Sequence, residues 1–482
     1  MQVNAMQQTD QQIIDSVLAE FLPLCQIPHS SKHEQAVSEY LTAQLKKLGL
    51  QVQHDAIWNI WADAPASAGR EDEPMIALQA HMDMVCAAGI PDFHPLTNPI
   101  QVETKDGWLS TNGRSSLGAD CGAGIALILW LLGQNWISHP PLRIIFTVQE
   151  EIGLLGAMEI PKECLDHVSI LLNLDGFALN RILVGSAGGM REHYARAVEW
   201  VPSPAGKAYQ IKLSGFTGGH SGFDIGEKRA NAVILMGEVL RRLQTKTPFA
   251  IAAFSGGEAF NAIPYQCTAV IISAVSIENA IAEMKQNILA RHQHTDPNGS
   301  LEVIPCDAPP QVWAGSVTAG FLTLLGGFAD GVYAMHPKLA DCVSDSSNLG
   351  HVYLENDVLC LDAFIRFMDT SAEYALHQSH SLVAGMCGFS GTVRTRYPAW
   401  NTENHHLASR MAALYHEQTG KEMQILAQHV GLEPSYFIAK NPEMECVCLG
   451  MDIEGCHSPD ERWRLGSIPV LGRMLAAYLA NP

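Results

Sequence analysis

Four apolar runs set the rhythm of this chain. PMIALQA (74–80), PLRIIFTVQ (141–149) and HVSILLNLD (167–175) are short, continuous and flanked by turn residues or charge, which predicts buried strands. GAGIALILWLLG (122–133) is hydrophobic almost all round, which predicts a helix covered on every side. Amphipathic patterns over Gln11–Leu22 and His33–Leu48 predict two helices ahead of these elements. Strands alternating with helices imply an α/β sheet with helices on both faces.

After GSAGG (185–189) the pattern changes. Two successive stretches read strand, helix, strand, strand, helix, one opening at YQIKLSGF (209–216), the other at SLEVIP (300–305) and closing in a helix near His380–Gly388. They predict an inserted α+β domain over 189–395, built from two similar halves, inside a discontinuous α/β domain of 1–188 and 396–482. Near the end, HSPDERWRLG has the marks of a helix start: Ser458 as cap, Pro459 in the first turn and Glu461 three residues after the cap. Glu461 is therefore expected to be structural.

Length and composition agree with this plan. A chain of 482 residues exceeds one ordinary core, and 47% hydrophobic with 17% charged residues describes a globular protein. A formal charge of −20 argues against nucleic acid or anionic membranes as partners. The N-terminal segment lacks the pattern of a signal peptide, and the longest apolar window is too short to span a bilayer. Twelve cysteines without a CxxC pair read as reduced thiols in a cytoplasmic protein.

The ends of the predicted strands hold the chemistry. His81 and Asp83 close the first, Asp120 precedes the covered helix, Glu150 and Glu151 close the second strand, and Asp175 closes the third. Ligands of open α/β sheets gather beyond the carboxyl ends of the strands. His nitrogen and carboxylate oxygen suit Zn²⁺, with Mn²⁺ or Co²⁺ as alternatives, and two ions about 3.5–4 Å apart need one bridging carboxylate. On the pattern alone, Asp83 is either a ligand or the group that orients His81.

HMDMV, SLGADCG, TVQEEIG, NLD, FTGGHSG, NAIP, HVGLE and CHSPDE, taken together, resemble the M20 family of co-catalytic metallopeptidases, and within it the cytosolic aminoacyl-histidine (Xaa-His) dipeptidase group. The resemblance runs from about residue 26 to residue 461. It implies a mixed-sheet catalytic domain with an inserted lid and dimerisation domain, and two divalent ions, zinc in the first instance. His81, Asp120 and Asp175 match one ion's ligands; Asp120, Glu151 and His457 match the other's, with Asp120 bridging. Glu150 matches the general base acting on a metal-bridging water, and Asp83 the acid that orients His81.

His220, Asn261 and Arg366 match substrate-binding residues, His220 serving the partner subunit of a homodimer. A cis peptide is implied after the bridging residue, at Asp120–Cys121, where Cys121 stands in place of the usual Asn and is expected to be a bystander. The implied reaction is metal-dependent hydrolysis of dipeptides with a free N-terminus and a preferred C-terminal His, β-alanyl-histidine included. Alternatives are a tripeptidase, a carboxypeptidase, an N-acyl amino acid deacylase, or a catalytically silent dimer that binds metal or amino acids. His377, His380, His405 and His406 are expected on the surface or satisfied; His429 and Glu433 receive no role.

Overall fold

The computed structural model describes residues 8–135, 137–402 and 405–482. The chain forms two compact units: one comprises the residues up to Gly185 with Trp400–Ala427 and Leu432–Pro482, the other Ser186–Ala399 with Gln428–Gly431.

The first unit is built on a mixed sheet. Its strands follow the order Gln51–His54, Ile60–Ala64, Leu142–Thr147, Met75–His81, Val168–Gly176, Glu445–Gly450, Arg181–Ser186 and Trp400–Asn401. The four strands from Leu142–Thr147 to Glu445–Gly450 run parallel, so their carboxyl ends share one edge. Helix Ala119–Leu132 is buried along nearly its whole length against one face. Gly124 permits that approach, since a Cβ there would lie 2.6 Å from the carbonyl oxygen of Leu174. Helices Asp10–Leu24 and Ile468–Ala480 pack outside it. On the opposite face Leu171, Ala77 and Ile145 pack with Phe437 of helix Pro434–Lys440. Helix Asp10–Leu24 begins with a reciprocal cap between Thr9 and Gln12, an arrangement worth about 1 kcal/mol.

The predicted helix start at Ser458 is not formed. Residues 458–461 make a turn, Arg462–Arg464 is a strand paired with Trp108–Ser110, and the last helix begins at Ile468. The Ser458 hydroxyl does accept the Asp460 N–H, but as a local turn, because the Glu461 side chain is drawn elsewhere.

The main sheet of the second unit is antiparallel and ordered Ser300–Cys306, Lys207–Ser214, Cys267–Ser273, Ala250–Gly257, Val343–Glu355, Val358–Phe367, Gly188–Ala197 and Ser390–Tyr397. Two strand–helix–strand–strand–helix–strand halves lie within it, one nested in the other. Ser300–Cys306, expected to open the second half, instead closes the first by pairing along Lys207–Ser214. The other half starts earlier, at Gly188–Ala197, and ends at Ser390–Tyr397. Sequence order cannot reveal that nesting, because only the pairing defines a half.

Residues Gln428–Gly431, expected in the first unit, belong to the second. The Ala187 N–H donates to the Gln428 carbonyl (3.0 Å), and His429 Nε2 lies 2.7 Å from Ser346 Oγ.

Candidate active site

In the first unit the parallel strands deliver their last side chains to one place. Asp120 sits at its centre, with Oδ1 3.0 Å from His81 Nε2 and Oδ2 2.9 Å from His457 Nε2. Asp175 Oδ1 lies 3.3 Å from His81 Nε2, and Glu151 Oε2 3.0 Å from His457 Nε2. His81 Nδ1 donates to the main-chain carbonyl of Asp83 (2.9 Å), which leaves Nε2 facing the acids. The Asp83 carboxylate faces the same ring at 3.5 Å, its charge helping to raise His81, and it also holds the neighbouring turn. Its Oδ1 accepts the Glu150 N–H (2.9 Å), and its Oδ2 accepts the Glu151 N–H (3.2 Å) and the Ser31 hydroxyl (2.8 Å).

The loop carrying Asp120 hangs from a second buried carboxylate. Glu461 accepts four consecutive amides: Leu117 and Gly118 on one oxygen (2.7 and 3.0 Å), Ala119 and Asp120 on the other (2.8 and 3.2 Å). A cap-like Glu after HSPD was the sequence signal, but its partner loop lies more than 300 residues away. The Asp120–Cys121 peptide bond is cis. The Cys121 thiol is buried, donates to the Leu174 carbonyl and is pushed well up by burial.

Charge governs the cluster. Burial pushes Glu150 well up, with Asp175, Glu151 and Glu433 adding to the shift, and burial takes Asp175 up to about 7. His457, bonded to Asp120 and Glu151, rises to about 11. Burial opposes ionisation of Asp120, yet its bonds from His457 and His81 hold it below the usual carboxylate range. Protonated imidazoles thus supply the positive charge that crowded carboxylates require. The donor set fits divalent cations in their place: nitrogen and oxygen atoms of Asp120, Glu151 and His457 lie within 4.8 Å of one another, as do donor atoms of His81, Cys121 and Asp175. Among the described residues Glu151 Oε1 is buried without a hydrogen-bond partner, which suits a ligand oxygen.

Glu433 is fully buried under the same strand ends. It accepts Gln79 Nε2 (2.6 Å) and Thr147 Oγ1 (2.8 Å), and burial raises it to about 7.

The second unit brings together a different set. The Arg366 guanidinium is almost wholly buried, donates to Tyr397 Oη (3.0 Å), stacks 4.6 Å above Phe364 and approaches His220 Nε2 at 3.4 Å. His220 Nδ1 accepts the Gly222 and Phe223 amides, so its ring hydrogen sits on Nε2. Burial and the Arg366 charge lower His220 to about 4 and keep it neutral. His429 is held neutral the same way, down to about 3. Asn261 lies at the turn into Ala262–Ile263, its carbonyl accepting the Ser221 N–H (2.8 Å). His377 and His380 are satisfied elsewhere, both bonded to the buried Glu192 carboxylate.

Residues 77–481 match the peptidase family M20/M25/M40. The chain is 30% identical over 459 residues to the cytosol non-specific dipeptidase of Escherichia coli, covering 93% of each protein. This chain belongs to peptidase family M20/M25/M40. The crystal structure of aminoacylhistidine dipeptidase from Vibrio alginolyticus superposes on this M20 peptidase with a TM-score of 0.88 at 26% identity, covering 99% of each chain. A tripeptidase from Staphylococcus aureus shares the fold at a TM-score of 0.55 and 18% identity, over 97% of this chain and 98% of the other. No described helix of this M20 peptidase is long and apolar enough to cross a membrane.

Proposed function

We propose that this M20 peptidase is a cytoplasmic metal-dependent dipeptidase that hydrolyses peptides with a free N-terminus and prefers a C-terminal histidine. The observation that carries the reading is the division of Asp120 between two imidazoles, His81 and His457, with Glu151 and Asp175 on either side. His81, Asp120 and Asp175 would hold one divalent ion; Asp120, Glu151 and His457 would hold the other. Divalent ions held there, zinc by donor preference, would supply Lewis-acid polarisation of the scissile carbonyl and would lower the pKa of bound water. Glu150, whose proton affinity burial raises, takes a proton at its carboxylate and returns it to the leaving amine. Asp83 holds the backbone of the Glu150–Glu151 pair and, through its carbonyl, the tautomer of His81.

From the second unit we assign Arg366 to the substrate's terminal carboxylate, which its planar fork suits, with Asn261 beside the same end. His220 presents a neutral Nε2–H, the donor that a carbonyl oxygen needs as it gains charge. Preference for C-terminal histidine is supported by likeness to the aminoacylhistidine dipeptidase. We assign a homodimer to the second unit's edge, where strand Ser390–Tyr397 is exposed through seven of its eight residues, and Tyr374, Leu382 and Met386 of the neighbouring helix are 68, 65 and 81% exposed.

The test is hydrolysis of β-alanyl-histidine, alanyl-histidine, a tripeptide and an N-acetyl amino acid after chelation and restoration of Zn²⁺ or Mn²⁺. Metal-dependent cleavage of the histidine dipeptides, reduced about 10²- to 10⁴-fold in Glu150→Ala with metal still bound, is expected. Cleavage of the tripeptide or acetylated substrate alone would overturn the substrate assignment, and full activity of Glu150→Ala would overturn the mechanism.

A further inference from the structure

The Glu150–Glu151 pair does not hang from Asp83 alone. Four consecutive amides, from Val148 to Glu151, each donate to a side-chain oxygen from a distant part of the first unit. Val148 N–H reaches Asn59 Oδ1 (3.0 Å), Gln149 N–H reaches Glu34 Oε1 (3.0 Å), and the next two reach Asp83. Gln149 lies in the left-handed region with φ of 54°, a conformation that strains a non-glycine residue. The turn at Gln149 redirects the chain from the strand Leu142–Thr147 so that the next two residues enter the cluster. Its amide is fixed by one group, the Glu34 carboxylate, which is 2% exposed. Glu34 also draws on the amides of Lys32 and its own residue, so it ties the segment before helix Gln35–Lys47 to the turn. Asn59 Nδ2 in turn is anchored by Asp55 Oδ2 (2.6 Å) and the Gly156 carbonyl (3.0 Å), which makes it a rigid acceptor.

A buried carboxylate that accepts backbone amides near Asp83, another acid, is an expensive way to hold a surface turn. It is economical only if the turn's geometry matters. We infer that Glu34 is a positioning residue for the reaction: its carboxylate holds the left-handed turn at Gln149 and so sets where the carboxylates of Glu150 and Glu151 stand. This rests on the roles proposed for those two residues. Loss of the acceptor frees the turn to relax toward the right-handed region, and a displacement of about 1 Å at a reacting carboxylate costs about 10²-fold in rate.

The experiment uses full-length protein with Glu34→Ala and Glu34→Gln, the latter keeping one acceptor oxygen. Expected for Glu34→Ala is a fall in kcat of about 10- to 100-fold with KM within about twofold, with Glu34→Gln recovering most of the loss. Calorimetric titration with Co²⁺ gives a second readout: Glu34→Ala weakens one of two binding steps at least about tenfold, the step that uses Glu151, and leaves the other in place. Unchanged kcat and unchanged Co²⁺ binding in Glu34→Ala would overturn the inference, as would equal loss in both variants or equal weakening of both steps. If the unaltered protein cleaves no dipeptide, the proposed function fails by itself, and the Co²⁺ titration still decides the placement of Glu151.

Discussion

Replacing Glu461 with alanine would strip the acceptor from four consecutive buried amides at once. Each stranded N–H costs about 1–3 kcal/mol, and the carboxylate that now serves them is 2% exposed, so solvent does not replace it in the intact fold. Water entering the space left by the side chain satisfies part of the deficit. The local cost is therefore about 3–5 kcal/mol, the range found when one partner of a buried charged contact is removed. At about 1.4 kcal/mol per decade, this predicts amide exchange over 117–120 roughly a hundred- to several-thousand-fold faster than in the unaltered protein. Hydrogen-exchange mass spectrometry of metal-free protein at pH 7 reads it directly, with peptides from Lys207–Ser214 in the second unit as the internal control. Glu461→Gln, which keeps one oxygen but turns an NH₂ toward two donors, should fall between. Exchange over 117–120 that stays within about threefold of the unaltered rate would refute the view that Glu461 suspends the Asp120 loop.

Restoring Zn²⁺ to chelated protein should raise the melting temperature, each ion adding about 2.7 kcal/mol at a hundredfold excess over its Kd, and His81→Ala should abolish most of that gain. Binding should also release protons, since His457 holds one up to about pH 11 in the metal-free site, and calorimetry in buffers of different ionisation heat would detect them. In the second unit, burial raises Asp330 to about 6. A carboxyl whose folded pKa exceeds its unfolded value favours the fold below about pH 4 and loses that contribution as pH rises through about 6, a change of at most about 3 kcal/mol. Asp330→Asn keeps the oxygen that accepts from Asn231 and Leu349, so it should melt like the unaltered protein at pH 4 and higher at pH 8. An equal difference at both pH values would count against burial as the cause.

Apolar run length and spacing determined the first unit's parallel strands and the covered helix Ala119–Leu132, because a strand buried on both faces must be continuously hydrophobic wherever it sits. The same local logic placed His81, Glu150, Glu151 and Asp175 at strand ends, and parallel strands necessarily collect such ends on one edge. What lay beyond reach were the partners that arrive from afar. Glu461 looked like a helix cap because SPDE has the cap's spacing, but its carboxylate satisfies four amides of a loop more than 300 residues earlier, and the helix starts at Ile468 instead. Glu34 and Asn59 carry no local pattern at all; their role exists only once the turn after Thr147 is folded against them. The nesting of the second unit's halves and the transfer of Gln428–Gly431 to that unit are matters of pairing between distant strands. Local sequence determines which residues must be buried and which chemistry reaches an edge. Tertiary structure alone decides which buried oxygen meets which amide, because hydrogen bonds at a site are closed by whatever the fold brings within 3 Å, not by spacing along the chain.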